Sequence, residues 1–338
     1  MTVKMTEADT GPKIDYRTRR IGHVNLFVSN MERTQDFVRD ICGFERTAII
    51  PSARASFFSN GNTHHDIGIV EAKGHAAVRK KFPDPNEPEG RGSIPGLNHF
   101  GWELENEYDL VQAHDRAAAA GMKPRVTNNG TSYSDYLFAR DGSCHQFYAD
   151  NELDWRGQYT GGECEHLHRS VKWVPGEKSP SKEPFYNPNA VIRRVEAAPL
   201  HPMRVTHAVM VSNTFAQSLQ FYTDVAGFRV VERGSGDSFV YLAGSAAPYS
   251  IVLLPERDGR VNGMHHVSFE LWPHEDVTKS VAALKARGAK ILADLDLPHK
   301  RSVCIADPDG IRFEFFVRRP GGFAAVAARR GEDQAYAA

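Results

Sequence analysis

The sequence predicts an α+β protein built from four βαβββ modules, which pair into two tandem domains with curved sheets. The first observation behind this prediction is an internal repeat, which has to be found before a fold is assigned. The repeat starts at His23 and again at His207, with four residues following at equal spacings: Phe37, Asp40, Gly43 and Phe44 in the first copy, Phe221, Asp224, Gly227 and Phe228 in the second. The second observation is that each predicted helix is followed by about three short strands, which favours α+β modules over a parallel α/β sheet.

A second group of residues repeats later in each copy. The matched residues are His99, Glu103 and Gly121 in the first copy and His266, Glu270 and Gly288 in the second. Each copy then reaches a glycine turn, Asp141-Gly142 or Asp309-Gly310, which is followed by an oxygen donor, Gln146 or Glu314. Two histidines and one oxygen donor in each copy are typical of a metal enzyme.

The first module begins with an apolar strand over Ile21–Val28 and continues into an amphipathic helix over Met31–Ile41. Asn30 is a suitable N-cap for this helix, and Gly43 is a suitable residue to end it. Glycine, asparagine and proline separate the short strands that follow. We predict these strands near Thr47–Ile50, Ala55–Ser59 and His65–Val70.

The second module repeats this order after a connector rich in Pro, Glu and Gly. Its predicted elements are a strand over His99–Leu104, a helix over Glu107–Ala120, and strands near Lys123–Val126, Tyr136–Ala139 and His145–Ala149. The third and fourth modules follow over Met203–Val317. Two such modules can close a small curved sheet, and ligands would then come from alternate strand positions that face the cavity.

The chain length of 338 residues fits two domains of about 150 residues each. We predict an N-terminal domain over residues 19–160 and a C-terminal domain over residues 203–320, with two modules in each. Residues 161–202 show no sustained period and are predicted to be an interdomain segment. The end of the chain, residues 318–338, is basic and rich in alanine, and no element is predicted there.

Composition excludes several classes of function. The net charge of −1 gives no electrostatic footprint for nucleic acid or for an acidic membrane surface. No apolar run approaches the roughly 20 residues needed to span a bilayer, and the polar start of the sequence lacks a signal-peptide core. The four cysteines show no CxxC pair and are typical of reduced cytosolic thiols. We therefore expect a cytoplasmic protein that acts on a small molecule.

The preferred metal site lies in the C-terminal domain. Strand alternation places Phe313 and Phe315 on the packing face and Glu314 toward the cavity, where a carboxylate is costly unless it is paired or coordinating. His207 and His266 lie on apolar strands that can point into the same cavity. Two neutral imidazoles and one carboxylate leave open positions on a metal, as in the facial triad of non-haem Fe(II) oxygenases.

A single histidine on an apolar strand is usually a hydrogen-bonded core residue. Three donors of suitable type at matched places in a repeated fold favour metal binding instead. The N-terminal half offers a second candidate set, His23, His99 and Gln146. A glutamine is a poorer ligand for divalent iron or manganese, so we favour a duplicated domain that has lost its metal.

Two segments carry a resemblance to a known family. Met264-His265-His266-Val267-Ser268-Phe269-Glu270 and Ala306-Asp307-Pro308-Asp309-Gly310-Ile311-Arg312-Phe313-Glu314 resemble the vicinal oxygen chelate superfamily, and within it the two-domain type I extradiol ring-cleavage dioxygenases. The resemblance covers about residues 20–160 and 203–318. It implies that His207, His266 and Glu314 hold Fe(II), with Mn(II) as an alternative, and that O₂ opens the ring of a catecholic diol. It also implies a homo-oligomer and a place in the catabolism of aromatic hydrocarbons.

The sequence departs from the family pattern around this site. The family places a catalytic histidine on the last strand of the third module, but Tyr249–Leu253 contains none, and the tyrosine that precedes the metal glutamate is replaced by Cys304. The N-terminal half has these features instead, in His64-His65-Asp66 and Tyr136. The candidate catalytic residues are therefore His65, His299 and Tyr136.

Two module pairings are open at this point. If modules pair within each half, His265, His299 and Ser302 would supply the polar groups around the metal. If modules pair across the halves, His23 would join His266 and Glu314. We prefer pairing within each half as the simpler topology.

Two other functions remain open beside the dioxygenase. The first is a glyoxalase-like isomerase or lyase that uses Ni, Co or Zn without O₂, for which a glutamine ligand such as Gln146 would be acceptable. The second is a non-catalytic protein that binds a small aromatic molecule in the cavity.

Overall fold

The computed structural model describes residues 14–16, 18–73, 80, 84, 86–168 and 173–338. It contains two eight-stranded sheets, one in each half of the chain. The strands of the first sheet are β1 Thr18–Val28, β2 Arg46–Ile50, β3 Ala55–Phe58, β4 Ile67–Glu71, β5 Gly96–Leu104, β6 Arg125–Asn128, β7 Ser132–Phe138 and β8 Cys144–Asp150. The strands of the second sheet are β9 Pro202–Ser212, β10 Arg229–Arg233, β11 Val240–Ala243, β12 Ile251–Pro255, β13 Gly263–Leu271, β14 Lys290–Asp296, β15 Lys300–Ala306 and β16 Arg312–Arg318.

One helix follows the first strand of each module, and two short helices lie near the end of the chain. These helices are α1 Met31–Asp36, α2 Glu107–Ala119, α3 Phe215–Gln220, α4 Val277–Ala286, α5 Ala324–Ala327 and α6 Gly331–Ala337. The element order gives four βαβββ modules arranged in two tandem curved-sheet domains. The predicted α+β fold class is confirmed.

The two sheets have the same strand order, with the first strands of two modules side by side at the centre. The order is β2-β3-β4-β1-β5-β8-β7-β6 in the first sheet and β10-β11-β12-β9-β13-β16-β15-β14 in the second. Strands β1 and β5 pair antiparallel, as do β9 and β13. Modules therefore pair within each half, and the sheet that contains His23 is not the sheet that contains His266 and Glu314.

The repeat that starts at His23 encodes a helix with a distinctive end. The Asn30 side chain caps α1 by accepting a hydrogen bond from the Arg33 amide at 2.7 Å. The predicted single helix instead changes to a π-helical turn over Phe37–Ile41, and the second copy has the same turn over Phe221–Val225. Gly43 follows with a φ of 75°, and a Cβ there would lie 2.0 Å from a backbone oxygen. Only glycine fits this position.

The two halves share one hydrophobic core. Aromatic rings from opposite halves meet in it, with centroids 5.6 Å apart for Phe37 and Phe313 and 5.1 Å apart for Phe44 and Phe269. Because strand side chains alternate, the neighbour Glu314 projects from the opposite face of its sheet. The polar candidate residues therefore lie away from the core that joins the halves.

The end of the chain packs on the second sheet. The Phe323 ring stacks on Tyr241 with centroids 4.2 Å apart, and Val326 is fully buried. The buried Gln334 accepts a hydrogen bond from Arg260 at 2.7 Å. These contacts build a second apolar cluster, which the alanine-rich sequence did not lead us to expect.

Among the described residues, none of the helices combines the length and the apolar character that crossing a membrane requires.

Candidate metal centre

Three neighbouring strands of the second sheet carry the preferred metal ligands. His207 lies on β9, His266 on β13 and Glu314 on β16, and these strands are adjacent in the sheet. Ser268 of β13 is paired with His207 on one side and with Glu314 on the other. The register therefore brings the first strands of the third and fourth modules and the last strand of the fourth to one place on the sheet.

The three side chains converge in the interior of the protein. One possible ligand atom of each lies within 4.8 Å of the others. Oε2 of Glu314 is 4.0 Å from Nε2 of His207 and 3.6 Å from Nε2 of His266. All three residues are at most 1% exposed. Neither Nε2 atom has a hydrogen-bond partner among the residues that the structure describes.

Hydrogen bonds assign the tautomer of His207. The Thr206 hydroxyl donates to the Ser268 carbonyl at 3.1 Å, so its oxygen accepts from Nδ1–H of His207 at 2.9 Å. Nε2 then carries a lone pair. Burial lowers the pKa of this imidazole well below its usual value, which keeps it neutral.

A similar relay assigns His266. Nε2–H of His265 donates to the Glu332 carboxylate at 2.7 Å, so Nδ1 of His265 accepts from Nδ1–H of His266, also at 2.7 Å. The lone pair of His266 is again on Nε2, and burial lowers the pKa of its imidazole. Two neutral imidazole lone pairs therefore face one carboxylate, which is a donor set that fits a divalent cation.

Lys300 is a buried cation that contacts the Glu314 carboxylate directly. Its Nζ lies 2.8 Å from Oε1 of Glu314, while the Ser268 hydroxyl donates to Oε2 at 2.8 Å. Burial alone would raise the pKa of the Glu314 carboxyl, but the charge of Lys300 and the contacts with His266 hold it well below its usual range. The carboxylate is thus ionised, with Oε2 turned toward the two imidazoles.

The final helix covers the site. The Tyr336 ring lies nearly parallel to the His266 ring, with centroids 6.4 Å apart. Nε2–H of His299 donates to the Ala337 carbonyl at 3.0 Å, and Lys300 also donates to the Ala338 carbonyl. His299, a predicted catalytic residue, therefore contacts the covering segment through one nitrogen.

The second candidate set also comes together, but its atoms are hydrogen-bonded to one another and to neighbours. Nε2–H of His23 donates to Oε1 of Gln146 at 2.9 Å, and the Gln146 amide donates to Ser134 at 2.7 Å. Nε2 of His99 accepts from the Asn25 amide at 2.9 Å, and its Nδ1 lies 3.0 Å from Oδ1 of Asn98. Both nitrogens of His99 are therefore engaged.

Two predicted catalytic residues lie in the first sheet's half. His65 packs on His23 with ring centroids 4.0 Å apart, and it precedes β4 instead of lying on that strand as predicted. The Tyr136 ring lies 5.2 Å from that of His99, and burial raises the pKa of its hydroxyl to about 12. Both residues thus accompany the N-terminal candidates and not Glu314.

The sequence predicted His299 and Ser302 near the candidate metal site but did not indicate Lys300. The missing signal was alternation along β15. Cys304 pairs with Glu314 in the sheet, so Ser302 and Lys300 share its face. Alternation along this strand therefore directs the Lys300 side chain into the cavity beside the Glu314 carboxylate.

Comparison with protein families gives a direct match. The family model of the Glyoxalase/Bleomycin resistance protein/Dioxygenase superfamily matches residues 20–145 and 204–315. The chain belongs to this superfamily. The matched ranges include five of the six residues of the two candidate metal sets, and Gln146 follows directly after the first range. The superfamily resemblance predicted from the sequence is confirmed.

Individual members of the superfamily are distant in sequence. The catechol-2,3-dioxygenase of Bacillus subtilis strain 168 is 27% identical over 115 residues, which span 34% of this chain and 37% of that protein. The matched part is therefore well under half of the curated relative.

Solved structures share the fold over most of the chain. The 2,3-dioxygenase LapB from Pseudomonas sp. KL28 has a TM-score of 0.63 at 18% identity, covering 89% of this chain and 92% of that one. An Mn(II)-bound glyoxalase from Novosphingobium aromaticivorans has a TM-score of 0.60 at 17% identity, covering 89% and 82%. Homoprotocatechuate 2,3-dioxygenase from Brevibacterium fuscum, in complex with 3,4-dihydroxyphenylacetate, has a TM-score of 0.61 at 13% identity, covering 91% and 83%.

Proposed function

We propose that the chain is an extradiol-type dioxygenase that opens the ring of a small catecholic aromatic with O₂, using a divalent metal held by His207, His266 and Glu314. The observation that carries this proposal is a pair of Nε2 atoms that have no hydrogen-bond partner among the described residues and that face a buried, ionised carboxylate. Fe(II) is the metal that this donor set suits best, with Mn(II) as the alternative. Superfamily relatives described as catechol or homoprotocatechuate dioxygenases support the substrate class.

The residues around the proposed ligands fix their protonation and orientation. When bound, Fe(II) would supply a Lewis-acidic, redox-active centre with open positions for a diol and for O₂. Thr206 and His265 fix the tautomers of the two imidazoles, and Ser268 and Lys300 orient the carboxylate. Such outer contacts hold ligands in a productive orientation.

The wall beside His207 suits an aromatic ring. The Tyr249 ring lies 4.7 Å from the His207 ring, and the Phe316 ring lies 5.5 Å from it. The Arg318 guanidinium lies 5.1 Å from the Tyr249 ring centroid. Arg318 also pairs with Glu270 at 3.3 Å, which partly balances its charge, so the wall would favour the diol mainly through ring contacts.

His299 is the proposed proton acceptor on this side of the molecule. Its Nε2–H donates to Ala337, so the lone pair is on Nδ1, which has no partner among the described residues. Burial lowers the pKa of His299, which leaves it neutral and able to accept a proton from the diol. We assign His65 and Tyr136 no role in this step, because they lie in the other half.

Substrate entry requires the covering segment to move. His207, His266 and Glu314 are sealed from solvent while Tyr336 and Ala337 contact their neighbours. We propose that α6 opens to admit the diol and closes over it, which would exclude water during the reaction.

The test is anaerobic loading of the full chain with Fe(II), followed by O₂ uptake with a panel of substituted catechols and detection of the yellow ring-opened product. We expect uptake in the wild type, loss of iron and activity in Glu314→Ala, and no loss in the exposed control Glu196→Ala. Full activity with bound iron in Glu314→Ala would refute the assignment.

A glyoxalase-like isomerase is a second candidate because an amide oxygen, that of Gln146, lies among histidines at 2.9 Å from His23. Isomerisation consumes no O₂, so the same assay separates the two reactions. A protein that only binds an aromatic molecule would carry no stoichiometric metal.

A further inference from the structure

A cluster of three histidines in the N-terminal half lies outside the site proposed for ring opening. One nitrogen of each of His23, His64 and His65 lies within 4.8 Å of the others, and the three residues are at most 6% exposed. Ring centroids are 4.0 Å apart for His23 and His65 and 4.5 Å apart for His64 and His65. Three imidazoles thus share one buried space.

The cluster contains buried nitrogens with no partner among the residues that the structure describes. They are both ring nitrogens of His65 and Nδ1 of His23. Because Nε2–H of His23 donates to Gln146, its Nδ1 is the atom that carries the lone pair. Burying such groups without a partner is costly, and a bound cation would satisfy them.

His64 has two neighbours that would orient it as a ligand. Its Nδ1 lies 3.4 Å from the Thr63 hydroxyl oxygen and 3.6 Å from Oδ1 of Asp150. An oxygen atom beside one nitrogen of a ligating histidine helps to orient the ring for metal binding through the other nitrogen. The remaining lone pair of His64 would then be on Nε2.

The superfamily's own ligand positions are a poorer choice in this half. Both nitrogens of His99 are hydrogen-bonded, and the Gln146 amide is held by His23 and Ser134. The difference from the second half begins at one position. Ser268 stands opposite His207 and binds Glu314, whereas Gly101 stands opposite His23.

Gly101 provides the space for the His23 ring. A Cβ at this glycine would lie 2.1 Å from Cε1 and Nε2 of His23. The absence of a side chain lets His23 lie flat against β5, where it contacts His65 as well as Gln146. The backbone therefore accommodates a histidine cluster here that it would not accommodate around Ser268.

We propose that His23, His64 and His65 form a second metal site, which takes a borderline divalent cation such as Zn(II) or Co(II) through three imidazoles. The three rings are buried, and imidazole binds a metal ion in its neutral form. Three neutral ligands leave the full charge of the cation uncompensated. The open position would therefore favour hydroxide or another small anion.

The test is metal stoichiometry of the full chain after loading with Co(II) or Zn(II), together with the visible d–d absorption of Co(II). We expect two equivalents in the wild type, one in His64→Ala, one in Glu314→Ala and none in the double variant. The exposed control His166→Ala should keep two. His99→Ala should also keep two, because both of its nitrogens are hydrogen-bonded and it is not a ligand in this proposal.

Three results would overturn the proposal. They are a single equivalent in the wild type that disappears in Glu314→Ala, two equivalents in His64→Ala, and loss of one equivalent in His99→Ala but not in His64→Ala. If His64→Ala does not fold, the metal stoichiometry of His65→Gln and the Co(II) spectrum of Glu314→Ala test the same site. The outcome is independent of ring opening, because a chain without dioxygenase activity can still bind two cations.

Discussion

The Lys300 ammonium lies 2.8 Å from Oε1 of Glu314, and these two side chains are among the most deeply buried charges of the second sheet. The lysine supplies a positive charge to the carboxylate whether or not a metal is bound. A buried carboxylate without such a partner would be strongly destabilising.

Replacing Lys300 by methionine should distinguish the contribution of the lysine charge from that of a bound metal. Without metal, Lys300→Met leaves Glu314 unpaired, and we expect the free energy of unfolding to fall by about 3–5 kcal/mol. Saturating divalent metal should restore part of this loss, because a ligand that binds only the folded state stabilises it. Denaturant unfolding with a chelator and with added metal measures both effects. The exposed Lys279→Met is the control, and equal stability of the two variants in chelator would contradict the interpretation.

Glu332 on α6 should control the metal affinity through His265. Glu332→Leu removes the acceptor that holds Nε2–H of His265, so the tautomer of His266 is no longer fixed. We expect metal affinity at the second-sheet site to fall by about 10–100-fold. Glu332→Gln keeps an acceptor oxygen and should retain most of the affinity. Competition with a chromophoric chelator gives the two constants, and similar losses in both variants would point to the charge of Glu332 instead.

Gly101 should tolerate no side chain. Gly101→Ala places a methyl group 2.1 Å from atoms of the buried His23 ring, and overpacking of this kind costs about 1–3 kcal/mol. Gly322→Ala is the matched control, since a Cβ there meets nothing within 4 Å. Thermal unfolding compares the two. An unchanged melting temperature in Gly101→Ala would mean that His23 can move aside.

Asp307 should make stability depend on pH. Its Oδ1 accepts from the amides of Asp309 and Ile311, while the buried Oδ2 has no partner among the described residues. Burial raises its pKa to about 6, above the value of about 3.9 in an unfolded chain. The folded state therefore binds more protons across this interval, and its contribution to stability is lost as pH rises from about 4 to about 6.

The amide variant Asp307→Asn keeps the Oδ1 acceptor and removes the titration. We expect it to be more stable than the wild type by about 1–2 kcal/mol at pH 8, with no advantage at pH 4. Urea unfolding at the two pH values checks the sign. A gain that is the same at both would show that Asp307 is ionised throughout.

Much of the fold followed from periodicity and repetition. The spacing after His23 and His207 predicted equivalent modules because the same helix end and the same glycine conformation are needed in each copy. The convergence of His207, His266 and Glu314 followed from alternation on strands that begin and end modules. Whether modules pair within or across the halves was not predictable, because both pairings bury the same apolar faces.

The remaining misses involve tertiary contacts that local patterns do not encode. The helices of residues 324–337 are stabilised by packing on Tyr241 and Val209, not by a strong amphipathic pattern. The participation of His64 in a cluster with His23 depends on a loop before β4 folding over the sheet. Sequence marked His64 and His65 but could not place them against a particular strand.

The shared core of the two halves makes them a single cooperative unit. Phe37 and Phe44 of one half pack on rings of the other, and the Asp66 carboxylate accepts a hydrogen bond from the Val205 amide at 2.9 Å. Cutting the interdomain segment, residues 161–202, and separating the halves would expose these rings to water. Each isolated half would therefore be less stable than it is in the intact protein. A ligand bound in one half would stabilise the folded state of the whole protein. It would therefore also protect the other half against proteolysis, although it makes no contact with that half.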